Sequence, residues 1–249
     1  MDYSCLEYGI EGLMFGDPLS GDVYGGSALE GVSGWIDEGG GYYIDEDGNY
    51  WTSESAPAGP TLIAHLAGDE ANGASLLVGT GMIAKTGASA VFTEAESGYG
   101  FDCVSTAKVS IDPSNINPNR FKITFITKDS GANVSYGKFF VLDVDATCQL
   151  YRGVGANDLF LNFNNVIVWQ NMSLPVDLYT STPHTIDVTL DNDTDTVEVK
   201  IDDVVISNEV SPAWPADVSL TTGIYFGNRA AGDRTIGNLM GDIKIYSLP

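Results

Sequence analysis

Residues 184–206 read HTIDVTLDNDTDTVEVKIDDVVI, a stretch dense in aspartate whose apolar residues recur at every second position. Pairing Leu190 with Val197 across the loop DNDTDT sets Val188 against Val199 and Ile186 against Ile201 on one side of a ribbon. The same register sets Asp187 opposite Lys200 on the other side. A hairpin with one buried and one charged face explains the pattern without a metal. Asp202 and Asp203 then fall where a second tight turn returns the chain into VVI.

The same punctuation runs outward from this hairpin. From about Pro60 onward, short runs rich in Val, Ile, Phe and Thr are separated by Gly, Asn, Asp and Pro clusters. The expected strands are TLIAHL (61–66), SLLVGTGMI (75–83), SAVFT (89–93), AKVSI (107–111), RFKITFIT (120–127), GKFFVLDVD (137–145), DLFLNF (158–163) and NVIVWQN (165–171). After the hairpin come VSLTTGIYFG (218–227) and IGNLMGDIKIYSL (236–248). No stretch carries a convincing amphipathic-helix pattern. The sequence therefore predicts an all-β fold, a two-sheet antiparallel jelly-roll sandwich, since a parallel α/β sheet would need helical connections.

The first 54 residues differ in kind. They are rich in Gly, Tyr and acids, and WIDEGGGYY (35–43) is followed at a spacing of eight by YIDEDGNYW (43–51). Two copies suggest a small ribbon with turns at GGG and DGN. With TSESAPAGP (52–60) read as a connection, the expected organisation is an attachment segment, 1–54, a linker, 55–60, and a jelly-roll domain, 61–249. Trp35, Tyr42, Tyr43, Tyr50 and Trp51 crowd the ribbon beyond what it could bury alone, so they are the expected interface residues.

Charge limits the partners. The chain has 11 Lys and Arg against 34 Asp and Glu, a formal charge of -23. No base precedes Lys85, and fourteen acids lie between Asp2 and Glu70. Nucleic acid and anionic membranes are disfavoured. A docking surface for a basic protein and simple solubility in salt both account for the acidic opening. No run of 18 apolar residues exists, and MDYSCLEYGIEG has neither the basic nor the apolar region of a secretory leader, so neither a membrane span nor a signal peptide is expected. Cys5, Cys103 and Cys148 are odd in number and lack metal-type spacing, which points to buried free thiols.

Several pieces resemble the concanavalin A-like lectin/glucanase superfamily, in particular its laminin-G-like branch. LIAHLAGD (62–69) and SGYGFDC (97–103) resemble its opening strands, the 184–206 hairpin its His-strand-turn-strand unit, and GIYFGN (223–228) with MGDIKIYSL (240–248) its closing strands. Asp203 stands where the family usually writes the turn glycine. The resemblance covers residues 60–249 and implies a jelly roll of two curved antiparallel sheets. It does not imply one activity, because the fold carries sugar binders, glycoside hydrolases and protein-binding modules.

Glycosidases need two carboxyl groups at a fixed separation. The hydrolase branch of this superfamily aligns them as Glu-x-Asp-x-Glu or Glu-x-Asp-x-x-Glu, a motif missing here; Glu94-Ala-Glu96 and Asp143-Val-Asp145 come nearest. His65, in an apolar strand, and His184, at a strand start, read as structural, and there is no Gly-x-Ser-x-Gly elbow. Asp191, Asp193 and Asp195 match positions 1, 3 and 5 of a calcium loop, but Thr196 occupies the position that requires Gly, which excludes an EF-hand. A shallow calcium site there stays open beside a solvated turn, as it does at Asp45, Asp47 and Asn49. Trp169 and Trp214 lie in the sandwich, but the sequence singles out no sugar site.

These readings lead to a structural, non-enzymatic protein of an assembly. Laminin-G-like sandwiches with a short attachment segment resemble those of tailed-phage virion proteins, which implies a head decoration or tail fibre on the virion. Its N-terminal segment would bind other virion proteins, and the chain would be oligomeric in its assembly. Displayed outward, the jelly roll would contact cell-surface glycans. No cofactor is required, with calcium the open option. The alternatives are a free extracellular glycan-binding module and, more distantly, a glycoside hydrolase with an unrecognised site.

Overall fold

A computed structural model describes strands at residues 6–7, 13–16 and 23–24 and then residues 59–249, apart from 77, 80, 113–115, 131–134, 143–147, 156, 179, 207–208, 211–214 and 220–221. The chain divides into two units, Met1–Ala58 and Gly59–Pro249. In the first, β1 (Leu6–Glu7), β2 (Leu13–Gly16) and β3 (Val23–Tyr24) form an antiparallel sheet in that order. The expected ribbon of residues 35–51, with Trp35, Tyr42, Tyr43, Tyr50, Trp51 and the acidic turn at Asp45, lies outside the described residues, as does Cys5.

The second unit opens with β4 (Thr61–Leu66), β5 (Ala84–Thr86), β6 (Ser89–Val91), β7 (Tyr99–Asp102), β8 (Lys108–Ile111) and β9 (Arg120–Asp129). Next come β10 (Lys138–Leu142), β11 (Cys148–Arg152), β12 (Leu159–Phe163) and β13 (Val166–Asn171). The hairpin strands are β14 (His184–Asp191), β15 (Thr196–Ile201) and β16 (Val204–Val205), followed by β17 (Glu209–Val210), β18 (Ile224–Phe226) and β19 (Asn238–Ser247).

Two antiparallel sheets form a sandwich. The hairpin sheet runs β16-β15-β14-β9-β19-β7-β6, with β4 added beside β19; the facing sheet runs β17-β13-β12-β11-β10-β18-β8-β5. Each strand turns every second side chain inward, as in β9, where Phe121, Ile123 and Phe125 are buried between half-buried polar residues. The two inner faces meet through rings: Phe121 lies edge-on to Phe140 at 6.2 Å, and Phe125 packs on Phe139 at 5.6 Å. Trp169 is fully buried in this core.

The deciding hairpin has the register read from its sequence. Leu190 pairs with Val197, Val188 with Val199, Ile186 with Ile201 and Asp187 with Lys200. Val188 and Val199 are buried, while Asp187 also meets Lys122 of β9 at 2.9 Å. Asp202 and Asp203 take φ of 51° and 64°, the left-handed pair of a tight hairpin turn. Cys103 and Cys148 are buried and free; burial pushes the Cys103 thiol up to about 12 and raises that of Cys148 as well.

Residues 75–83 are a correction. Instead of the expected strand, their described residues make only isolated bridges, Ser75 to Met82 and Val78 to His65. Gly79 and Gly81, with φ of 97° and 136°, turn the backbone where a strand would have to stay extended. Conversely, β1, β2, β3, β5, β11 and β17 had no counterpart among the expected strands. Among the described residues there is no helix long and apolar enough to cross a membrane.

Candidate functional site

The outward side of the facing sheet gathers the chemistry. In β10 through β12 the inward positions include Phe140, Leu150 and Leu161, and apart from Phe139, which a register shift also turns into the core, their neighbours in sequence face away from it. One outward row runs across four strands through Tyr225, Val141, Gln149 and Asn162. The next holds Lys138, Tyr151, Phe160 and Gln170. Val141 is completely buried although it points away from the core, so the row is a floor rather than an open plain.

Two features of this face point to a ligand. Tyr151 and Phe160 stack with ring centroids 5.4 Å apart and planes 15° from parallel, giving an aromatic platform. Beside it, Gln149 and Asn162 are direct cross-strand partners, and Gln149 Oε1 and Asn162 Oδ1 are both buried without a hydrogen-bond partner among the described residues. Buried polar atoms are rarely left unpaired, because each such atom costs about 1–3 kcal/mol. Two adjacent ones leave acceptors free for donors from outside the chain.

A positive end completes the face. Lys138 Nζ lies 3.9 Å from the Tyr151 ring centroid, and the Arg234 guanidinium lies 5.8 Å from that of Tyr136. Burial, aided by the charges of Arg234 and Arg229, lowers the Lys138 ammonium to about 8. Burial and then Tyr136 raise the Tyr151 hydroxyl. Arg229 is clamped by Asp233 through two bonds of 2.5 Å. At the opposite end Lys108 Nζ sits 5.7 Å from the Tyr225 ring. In a chain of charge -23, this places scarce cations around a polar and aromatic floor.

The candidate metal, acid and histidine residues of the sequence that are described lie elsewhere. On the hairpin loop, Asp191 meets Arg120 Nε at 3.1 Å and Asp193 meets Arg120 NH1 at 3.3 Å, while Asp193 N donates to Asp191 Oδ1 at 3.0 Å. Asp195, at φ 53°, joins no ion pair among the described residues. Glu94 and Glu96 are held by Lys128 at 3.2 Å and Lys244 at 2.5 Å. Glu94 is kept below the usual carboxylate range by its own backbone N–H and then Lys128, and Glu96 by Lys244. A general acid needs the opposite shift. His184 Nδ1 pairs with Asp202 Oδ2 at 2.7 Å, a brace within the hairpin. Asp143, Asp145 and Trp214 lie outside the described residues.

No family model matches the chain, and no curated protein matches it. Solved structures do share its fold. Domain 4 of AbnA, an extracellular arabinanase from Geobacillus stearothermophilus solved with arabinotriose, matches with a TM-score of 0.56 at 16% identity, over 77% of this chain and 94% of that one. A mutant Trypanosoma rangeli sialidase displaying trans-sialidase activity matches at 0.55 and 8% identity, over 76% of this chain and 31% of that one. The receptor-binding domain of botulinum neurotoxin mosaic serotype C/D matches at 0.51 and 14% identity, over 76% and 48%. The chain thus spans about a third of the sialidase and half of the toxin domain, but nearly all of the arabinanase domain.

These likenesses correct one expectation. Reading the chain as non-enzymatic rested on missing motifs, the paired carboxylates and the nucleophile elbow, yet a sialidase and a domain of an arabinanase share the fold. A missing motif removes one catalytic template, and the fold accommodates others.

Proposed function

We propose that the sandwich is a carbohydrate-binding module whose ligand lies on the outward side of β10, β11 and β12. The observation that carries this reading is the unpartnered amide pair Gln149 and Asn162 beside the stacked Tyr151 and Phe160. Sugars present both chemistries, with hydroxyls that donate to amide oxygens and an apolar C–H face that rests on rings. Lys138 and Arg234 favour a sugar bearing a carboxylate at that end. The arabinanase domain solved with arabinotriose and the toxin receptor-binding domain support this reading by analogy.

The test is a glycan array on the purified chain, followed by calorimetry on the best ligand with Gln149→Ala, Asn162→Ala and Tyr151→Ala. Each substitution should weaken binding at least tenfold. Undiminished affinity in all three would move the site off this face.

The setting we propose is the surface of a virion, with residues 1–54 attaching the module to other virion proteins. Support comes from twelve acids and no base in that segment, together with Trp35 and Trp51 as apolar anchors. A chain beginning at Gly59 should keep its glycan affinity and fail to join particles. Equal incorporation of the shortened chain would refute attachment through residues 1–54.

A further inference from the structure

We infer that His65, Glu96 and Asp242 form a binding site for one divalent transition-metal ion, with zinc the best match. One ligand atom from each of the three lies within 4.8 Å of the others. The site is independent of the glycan-binding reading and sits on the hairpin sheet.

Strand β19 builds it. Its first half pairs with β7, through Leu239 with Asp102 and Met240 with Phe101, and its second half with β4, through Ile243 with Leu66 and Lys244 with His65. Asp242 occupies the hand-off between those partners, inside a register irregularity, at φ 46°. That conformation is uncommon for a residue with a side chain and persists where the surroundings hold it. The Asp242 side chain is only 5% exposed and lies beside His65, on the opposite side of β4 from the core residues Ala64 and Leu66. Asp242 Oδ2 accepts from Glu96 N at 2.6 Å, which ties down the loop carrying Glu96.

The remaining atoms are unspent. Asp242 Oδ1 and His65 Nε2 are both buried without a hydrogen-bond partner among the described residues, and they lie 3.9 Å apart. That is too far for a bond between them. Lys244 Nζ reaches Glu96 Oε1 at 2.5 Å and offsets part of the negative charge, but it leaves these two atoms unpartnered. An ion between these two needs only a small closure, since ligands about 2.0–2.1 Å from a tetrahedral zinc stand roughly 3.4 Å apart, and the exposed Glu96 side chain, within 4.8 Å, closes the rest. An imidazole nitrogen with two carboxylates suits zinc rather than calcium or magnesium, which take oxygen ligands. Lys244 would then hold the ligating Glu96 carboxylate in place, as outer partners of metal ligands do. Joining β4, β19 and the 93–98 loop, the ion would staple the sheet where its hydrogen-bond ladder changes partners.

The experiment uses the full, untagged chain stripped with a chelator and titrated with zinc by calorimetry, with thermal unfolding followed in parallel. One ion per chain and a raised Tm are expected. Asp242→Asn, which retains an acceptor for Glu96 N, His65→Ala and the surface change Glu96→Gln should each weaken zinc binding at least tenfold. Glu96→Gln keeps the test valid even where the buried variants fail to fold. Absence of zinc binding by the native chain would overturn the inference, leaving the 3.9 Å gap to a water. Zinc binding unaltered in Glu96→Gln and in every folded variant, or a Tm rise produced by calcium instead of zinc, would overturn it equally.

Discussion

The ammonium of Lys138 lies 3.9 Å from the ring centroid of Tyr151, its direct partner across β10 and β11. The attraction between cation and ring does not repay the burial, since Lys138 is lowered from 10.5 to about 8, with burial the first cause. Between those two pH values the unfolded chain holds more protons at this position than the folded one. Stability therefore rises with pH from about 8 to 10.5, and the full cost is present below 8. Lys138→Met keeps the packing against Tyr151 and should raise Tm at pH 7, with the gain fading toward pH 10.5. The same substitution should weaken binding of carboxylated glycans, and native affinity for them should fall as pH rises through about 8. A pH series of thermal melts and calorimetric titrations checks both.

Val199 faces Val188 in the buried side of the hairpin, whereas Thr189 lies on the other side between Lys122 and Glu198. Val199→Asp buries a charge without a partner and should cost about 3–5 kcal/mol. Thr189→Asp meets one cation and one anion and should change stability by less than about 1 kcal/mol. Urea denaturation of the two variants measures the difference.

This contrast was legible in the sequence because period-2 alternation writes a strand's two faces directly into the chain. Residues 75–83 misled for a physical reason: their apolar composition suits a strand, but Gly79 and Gly81 take positive φ. The candidate site was hidden by distance. Gln149 and Tyr151 belong to β11, whose alternation of Cys148, Gln149, Leu150 and Tyr151 is only five residues long with its flanks. The platform also exists only once β11 lies against β12 and Lys138 of β10, a pairing of separate segments that no local pattern records. The nearness of Asp242 Oδ1 to His65 Nε2, 3.9 Å, was hidden for a similar reason, because it depends on a backbone irregularity in the last strand.

Arg120 holds three groups at once: Asp191, Asp193 and the carbonyl of Pro249, which accepts from NH2 at 2.6 Å. Arg120→Met should leave the two aspartates to repel each other and free the chain end. The pairs are partly exposed, so the expected loss is modest, about 1–2 kcal/mol, and it should shrink in high salt as the native ion pairs are screened. Chemical denaturation of both proteins at low and high salt measures this.

The turn after β15 separates two aspartates of opposite value. Asp202 accepts from Thr185 N at 2.9 Å and pairs with His184 Nδ1 at 2.7 Å, so its carboxylate closes the hairpin onto the start of β14. Asp203, at φ 64°, has no such bond among the described residues and bears only the strain of a left-handed backbone. Glycine adopts that conformation freely, and Asp-Gly is a preferred pair for such a turn. Asp203→Gly should therefore stabilise the sandwich by about 0.5–1 kcal/mol, net of the greater freedom glycine gives the unfolded chain. Asp202→Gly gains the same backbone relief but loses both bonds and strands the buried imidazole of His184, so it should destabilise by about 1–2 kcal/mol. Equal effects of the two changes in denaturant melts would show that the carboxylate of Asp202 contributes nothing to the hairpin.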